Sequence, residues 1–217
     1  MPVPKNSSTN ARVNVRKVIL NQLYGWIIDG TLEPGEKISD IEIAKYFQTS
    51  RTPVREAIQV LSEEKLVNVL PGQGTYVAPI DKKNTREVYE MLSMLHGLAV
   101  EITAPYLTKL DIANLEELLV NFEHAISGNS MVDVQRTDAE FHGYFITLSK
   151  NRYLSSFVNQ LAVQVYRIEN LLFSNYTGRT RSLAMHKNIL DALQKNDVVN
   201  AVKYTRENWM SFHDEIK

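Results

Sequence analysis

The 217-residue chain contains no cysteine. Disulfides, thiolate nucleophiles and cysteine-ligated zinc are excluded, so any metal must be held by imidazole, carboxylate or amide oxygen. No apolar run approaches the roughly 20 residues of a membrane span. Met1 to Asn10 is polar and lacks the apolar stretch of a signal peptide, so a cytoplasmic protein with no membrane partner is expected. A basic surplus is missing too. Net charge is -1. Nine Lys and Arg face eight Asp and Glu through Pro79, and fifteen face seventeen beyond it. With no bulk positive field, nucleic-acid contact must come from a few well-placed cations.

What is present is mostly helical periodicity. A polar tail is expected over residues 1–11. Val15, Val18, Ile19, Leu23, Trp26 and Ile27 then recur at three- and four-residue steps, as on one buried helix face. Gly30 and Pro34-Gly35 end that segment. Ser39-Asp40-Ile41-Glu42 has the form of a capping box opening a short second helix. A polar break, Gln48-Thr49-Ser50, precedes a third helix with Pro53 in its first turn. Val67 to Leu70, the turn Pro71-Gly72-Gln73-Gly74, and Thr75 to Val77 predict a β-hairpin. Beyond a linker at 80–83 strand signals cease. Six helices are expected: Asn84 to Ala104, Thr108 to Ser127, Met131 to Leu148, Asn151 to Phe173, Thr177 to Lys195, and Asp197 to Lys217. Long helices and short loops describe an antiparallel bundle. The fold expected is mostly α: a winged helix-turn-helix over 12–79, then an all-α bundle over 84–217.

In the third helix Val54, Ala57, Ile58 and Leu61 form the packing stripe, while Arg51, Arg55 and Gln59 fall four apart on another, with Thr52 beside them. A recognition helix needs that layout, because its N-terminal half enters the major groove. Arg pairs bidentately with guanine and Gln with adenine. Two arginines on an outer face also describe a plain solvated surface. The preceding helix and the Gly-rich hairpin, whose Gly72 and Gly74 let a wing tip approach DNA, favour the DNA reading.

The strings Ile28-Asp29-Gly30, Leu32-Glu33-Pro34-Gly35, Ile43-Ala44, Ser50-Arg51-Thr52-Pro53-Val54-Arg55-Glu56-Ala57 and Gly74-Thr75-Tyr76-Val77 closely resemble the GntR family of bacterial regulators. The resemblance implies that Ser50, Arg51, Thr52 and Arg55 contact operator DNA, with Gly72, Gln73 and Gly74 at the wing. Many relatives carry a further Arg in the second helix, where Ile41 stands here.

In the bundle, Asp138 and His142 fall one turn apart, and His186 lies on a later helix. The spacing alone describes a surface pair as readily as metal ligands. The region from Val88 onward, through Asp138 to His142, Lys150 to Leu154, His186, Asp191 to Leu193 and Asp197, resembles the FCD domain of fatty-acid-type regulators. That resemblance implies an all-helical domain holding a divalent metal, such as zinc, nickel or manganese, through Asp138, His142, His186 and a fourth position. The family's last His aligns with Asn208, a neutral and weaker donor. His213, five residues on, is about 140° around the helix. An effector-binding Arg and a following Glu align with Leu92 and His96. His96, Tyr89 and Arg167 are the candidates to compensate. Trp209, Phe212 and the Met91-to-Leu95 cluster are expected to be core, with part of that cluster also a candidate dimer interface.

The expected protein is thus a homodimeric repressor, not an enzyme. It would read double-stranded, pseudo-palindromic DNA under control of a small effector, in many relatives a carboxylate. Two alternatives stand beside it. One is a bundle serving only dimerisation. The other is a metal-dependent enzyme on Asp138, His142 and His186.

Overall fold

The computed structural model describes residues 9–128, 130–172 and 176–213. The chain divides between Ile80 and Asp81 into two compact units. Among the described residues no helix is long and apolar enough to cross a membrane.

The first unit holds α1 (Thr9–Ile28), β1 (Lys37–Ile38), α2 (Asp40–Tyr46), α3 (Arg51–Glu63), β2 (Val67–Leu70) and β3 (Gly74–Val77). α1 starts at Thr9, inside the stretch expected to be tail; residues 1–8 lie outside the description. Its core face is narrower than the periodicity suggested. Ile19, Leu23 and Ile27 are fully buried, whereas Val15 and Val18 are exposed. Burial of one such side chain stabilises the domain by about 1.5–3 kcal/mol. The opposite wall is the predicted α3 stripe: Val54, Ala57, Ile58 and Leu61 are buried, and α1 packs on α3. Ser39 caps α2 as expected, its hydroxyl accepting from the Glu42 N–H at 3.3 Å. The wing contains a strand the sequence did not announce. Lys37–Ile38 pairs antiparallel with β3, giving the sheet order β1-β3-β2. Two residues are too few to show an alternating pattern, so only pairing with β3 defines the strand.

The second unit is helical: α4 (Lys82–Thr103), α5 (Lys109–Ser127), α6 (Met131–Leu148), α7 (Arg152–Leu172), α8 (Tyr176–Gln194) and α9 (Val198–His213). The linker expected at 80–83 is shorter, because Asp81 already caps α4 by accepting from the Lys83 and Asn84 N–H groups. Pro105 cannot continue α4, and Ala104–Tyr106 forms a 3-10 turn instead. Thr108 and Asp111 make a reciprocal capping box on α5. The breaks at Lys150 and Asn196 adopt left-handed backbone, with φ of 52° and 56°. The core runs through Ala99, Val100, Leu115, Phe141, Phe145, Ile189 and Leu193. α9 lies along both α4 and α8. Gly97 lets α9 come close, since a Cβ there would stand 2.6 Å from Nε of Arg206. The described part of α9 ends at His213; the side chains of Phe212 and His213 lie outside the described residues.

Candidate functional site

Two constellations stand out, one in each unit. In the first, α3 begins at Arg51 with Ser50 as N-cap, and the Ser50 side chain makes no cap hydrogen bond. First-turn amides are therefore open to an anion. Ser50, Arg51, Thr52, Arg55 and Gln59 are all exposed. The two guanidiniums converge on one carboxylate, Asp40 at the start of α2. Arg51 Nη2 is 2.9 Å and Arg55 Nε 2.6 Å from Asp40 Oδ2. Partial burial works to raise the Asp40 pKa, but hydrogen bonds from Arg55 and Arg51 outweigh it and hold the carboxyl below its usual range. The Gln59 amide donates to Glu63 at 3.2 Å.

Across an open groove from α3 stands the wing tip, Pro71 to Gly74, so the structure brings Arg51, Arg55, Gln59, Gly72, Gln73 and Gly74 to one concave face. Gly72 and Gly74 have φ of 73° and 125°, and a Cβ on Gly74 would lie 2.9 Å from Cε of Lys37. Tyr76 donates its hydroxyl to the Gln73 carbonyl at 3.2 Å, bracing the tip. Ile41 is exposed on α2. Sequence reasoning did not single out Asp40; a carboxylate eleven residues before Arg51 carries no signal until the fold sets α2 against α3.

In the second unit, one ligand atom each from Asp138, His142 and His186 lie within 4.8 Å of one another. α6 supplies the first two and α8 the third. Asn208, from α9, is fully buried and places Nδ2 3.0 Å from His142 Nε2. His186 Nδ1 sits 2.7 Å from the Ser182 carbonyl. That nitrogen must carry the hydrogen, which leaves the Nε2 lone pair 3.4 Å from Asp138 Oδ1. Buried Nε2 of His186 and Oδ1 of Asn208 have no hydrogen-bond partner. A lone pair facing a carboxyl oxygen calls for a proton on that carboxyl or a metal ion between the two, and the orphan Asn208 Oδ1 is a further oxygen donor suited to the ion. Burial pushes Asp138 up to about 7, against the Ser182 hydrogen bond, and His186 down to about 4. His142 is held well below its ordinary value by burial first, then by His186 and His96. The donors are thus neutral imidazoles, a carboxyl and an amide, a set that fits zinc, nickel or manganese.

Asp138 and His142 open onto a cavity of about 320 Å³ between α4, α6, α7 and α9. His96 reaches its wall, stacked 4.5 Å from Trp209 and 5.3 Å from His142. Leu92, where an arginine was sought, also lines it. Tyr89 and Arg167 are buried but do not reach the lining. The wall includes two residues the sequence reading passed over. The sequence predicts Trp209 as core alone and gives Glu169 no role. Burial, then the nearby Asp138 charge, lifts Glu169 to about 8. Its signal was a carboxylate on the inward stripe of α7, in step with Ser155, Asn159, Ala162 and Tyr166.

Comparison with known proteins agrees with both units. Residues 16–77 match "Bacterial regulatory proteins, gntR family", and residues 87–209 match "FCD domain". The HTH-type transcriptional regulator YdhC of Bacillus subtilis is 30% identical over 181 residues, covering 82% of this chain and 80% of that protein. The HTH-type transcriptional repressor RspR of Escherichia coli is 26% identical over 171 residues, covering 79% and 75%. Among solved structures, E. coli McbR/YncC superposes with a TM-score of 0.73 at 24% identity, covering 91% of this chain and 94% of that one.

Proposed function

We propose, for a chain that belongs to the gntR family of bacterial regulatory proteins and carries an FCD domain, that this DNA-binding transcriptional regulator is a dimeric repressor whose operator affinity is set by a metal-assisted small effector in the bundle. One observation carries the regulatory part: two residues of the Asp138–His142–His186 cluster, Asp138 and His142, line a cavity of about 320 Å³. A site with orphan ligand atoms and a cavity beside it is built to hold something. Repression is supported by the name of the relative RspR, a transcriptional repressor.

On the DNA side, Arg51 and Arg55 reach guanine edges, Thr52 and Ser50 hold phosphate or base at the helix start, and Gln59 reads further along the groove. Gly72, Gln73 and Gly74 follow the backbone or minor groove. In the free protein Asp40 holds both guanidiniums in register, and DNA must displace or share it. Two such heads on a two-fold site bind together, and the link between them raises effective concentration. An apolar stripe on α4, Met91, Met94, Leu98 and Ile102, is exposed along one helix face and supports pairing of two bundles.

The metal would be held by Asp138, His142 and His186, with Asn208 Oδ1 the available fourth oxygen. When bound it supplies positive charge that attracts an anionic group of the effector. His96 is placed to donate to that group, and Trp209 fixes the plane of its ring. An effector alters operator affinity only by favouring one arrangement of the heads, with coupling of about 1–3 kcal/mol.

The test is elemental analysis of untagged protein, wild type and His142→Ala, alongside operator binding. About one equivalent of metal in the wild type, lost in the variant, supports the reading. No metal after incubation with zinc, manganese and nickel sinks the metal-assisted part and leaves a bundle that serves dimerisation.

A further inference from the structure

We propose that the bundle cavity takes a small amino-carboxylate, its ammonium group held by Glu169 and its carboxylate turned toward the Asp138–His142–His186 cluster. This rests on the metal-assisted effector reading above and names the ligand class.

The charges of the wall carry the argument. Among the described residues two carboxyls, Asp138 and Glu169, line the cavity, and no lysine or arginine does. Asp138 belongs to the metal cluster; Glu169 does not. Arg167, two residues before Glu169, stands about 200° around α7 and is not part of the lining. Leu92 is apolar. A purely anionic ligand filling this space would meet Glu169 with no side-chain cation on the wall to offset the contact, the metal charge being taken up by its own ligands and the carboxylate. An ammonium group turns the same contact into an ion pair at a part-buried carboxyl, where charge complementarity counts for more than in bulk water.

The layout fits both poles into one small molecule. α7 lines the cavity with Ser155, Val158, Asn159, Ala162, Tyr166 and Glu169, one face of the helix. α6 lines it with Gln135, Asp138, His142 and Ile146. A three-residue loop joins the helices, and Glu169 lies within interaction range of Gln135 and Asp138. Glu169 therefore marks the same end as Asp138, and Ile146 and Val158 mark the other. That end is apolar and suits a side chain. A volume of about 320 Å³ is at the low end for small-molecule pockets, so the ligand is metabolite-sized. A second observation points to a ligand independently. His96 is 4% exposed, lines the cavity and makes no hydrogen bond among the described residues. A buried imidazole without a partner on a cavity wall is a polar group awaiting one from the cavity.

The experiment is calorimetry on the full chain loaded with zinc. The probes are the twenty protein amino acids and, for each, the carboxylate lacking the amine. The expected result is that at least one amino acid binds and its des-amino partner binds about tenfold more weakly or worse. Glu169→Gln should erase that preference, while Glu140→Gln, on the exposed side of α6, keeps it. Glu169→Asp, which withdraws the carboxylate by one methylene, serves if the Gln variant does not fold; it should weaken the amino acid and spare the des-amino partner. Equal binding of des-amino carboxylates, a preference that survives Glu169→Gln, or no amino acid bound overturns the proposal. Carboxylate-only binding to metal-loaded protein leaves the metal-assisted reading in place, whereas failure to load metal removes that reading itself.

Discussion

Asn208 Nδ2 lies 3.0 Å from His142 Nε2, so α9 delivers an amide to the position where an imidazole would join the proposed metal set. The amide satisfies His142 but leaves its own Oδ1 without a partner. The residue is therefore a structural tie between α9 and α6, and in the proposed metal site it would be a weak ligand.

Asn208→His should tighten zinc binding by about tenfold or more, since imidazole is the better donor for this class of ion. Competition with a chelator of known affinity reads it directly. Equal affinity would mean that α9 does not reach the ion. Asn208→Ala should lower stability by about 1–3 kcal/mol, the cost of leaving a buried partner unsatisfied, seen as a lower midpoint in urea.

Asp40→Asn should release Arg51 and Arg55. Affinity for non-specific DNA is then expected to rise and its salt dependence to steepen, because two more cations become available to phosphate. Anisotropy titrations over a range of salt concentrations check this. An unchanged slope would show that DNA already displaces the carboxylate without cost.

Arg51→Ala and Arg55→Ala should each lose about 1–3 kcal/mol of discrimination for the operator over a single-base variant. Binding of both DNAs in parallel separates this from simple loss of charge, which would weaken both equally.

Metal-free protein should be most heat-stable near pH 6.5. His96, His142 and His186 have folded pKa values below the unfolded 6.5, at about 3, well below, and about 4. Their contribution is complete above 6.5 and is lost as pH falls toward those values. Asp138 and Glu169 are raised from 3.8 and 4.5 to about 7 and about 8. Their contribution is complete below the unfolded values and is lost as pH rises through 7 and 8. Between 4 and 6.5 three histidines outweigh two carboxyls; above 6.5 only the carboxyls act. Melting scans from pH 5 to 9 should show the maximum, and zinc should flatten the alkaline decline. A monotonic rise to pH 9 in metal-free protein would contradict this account.

Met94→Glu on the exposed α4 stripe should give a monomer by light scattering and weaken operator binding by about 10²–10⁴-fold, the advantage of linking two heads. A variant that stays dimeric would move the interface elsewhere.

Much of the architecture was legible because it is local. The α3 stripe, the caps at Ser39 and Thr108, Pro105, and the left-handed breaks at Lys150 and Asn196 are encoded within a few residues of where they act. From α4 to the start of α9 the helix ends fell within about two residues of expectation, the usual reach of cap and breaker signals, whereas α1 starts three residues early and the expected end of the last helix lies outside the described residues. Val15 and Val18 misled, because periodicity reports which residues can face a core but not how wide the facing surface is.

The sequence by itself determined that a winged helix-turn-helix precedes a helical bundle, that α3 presents Arg51 and Arg55, and that Asp138 and His142 share a helix face. These follow from turn chemistry and a 3.6-residue repeat. Only the tertiary structure decided that Asp40 clasps both arginines, that Lys37–Ile38 is a strand, that Asn208 meets His142 and His96 stacks on Trp209, and that Glu169 and Asp138 line one cavity. Each of those joins residues from different elements, and such contacts depend on how helices pack rather than on what any one segment prefers.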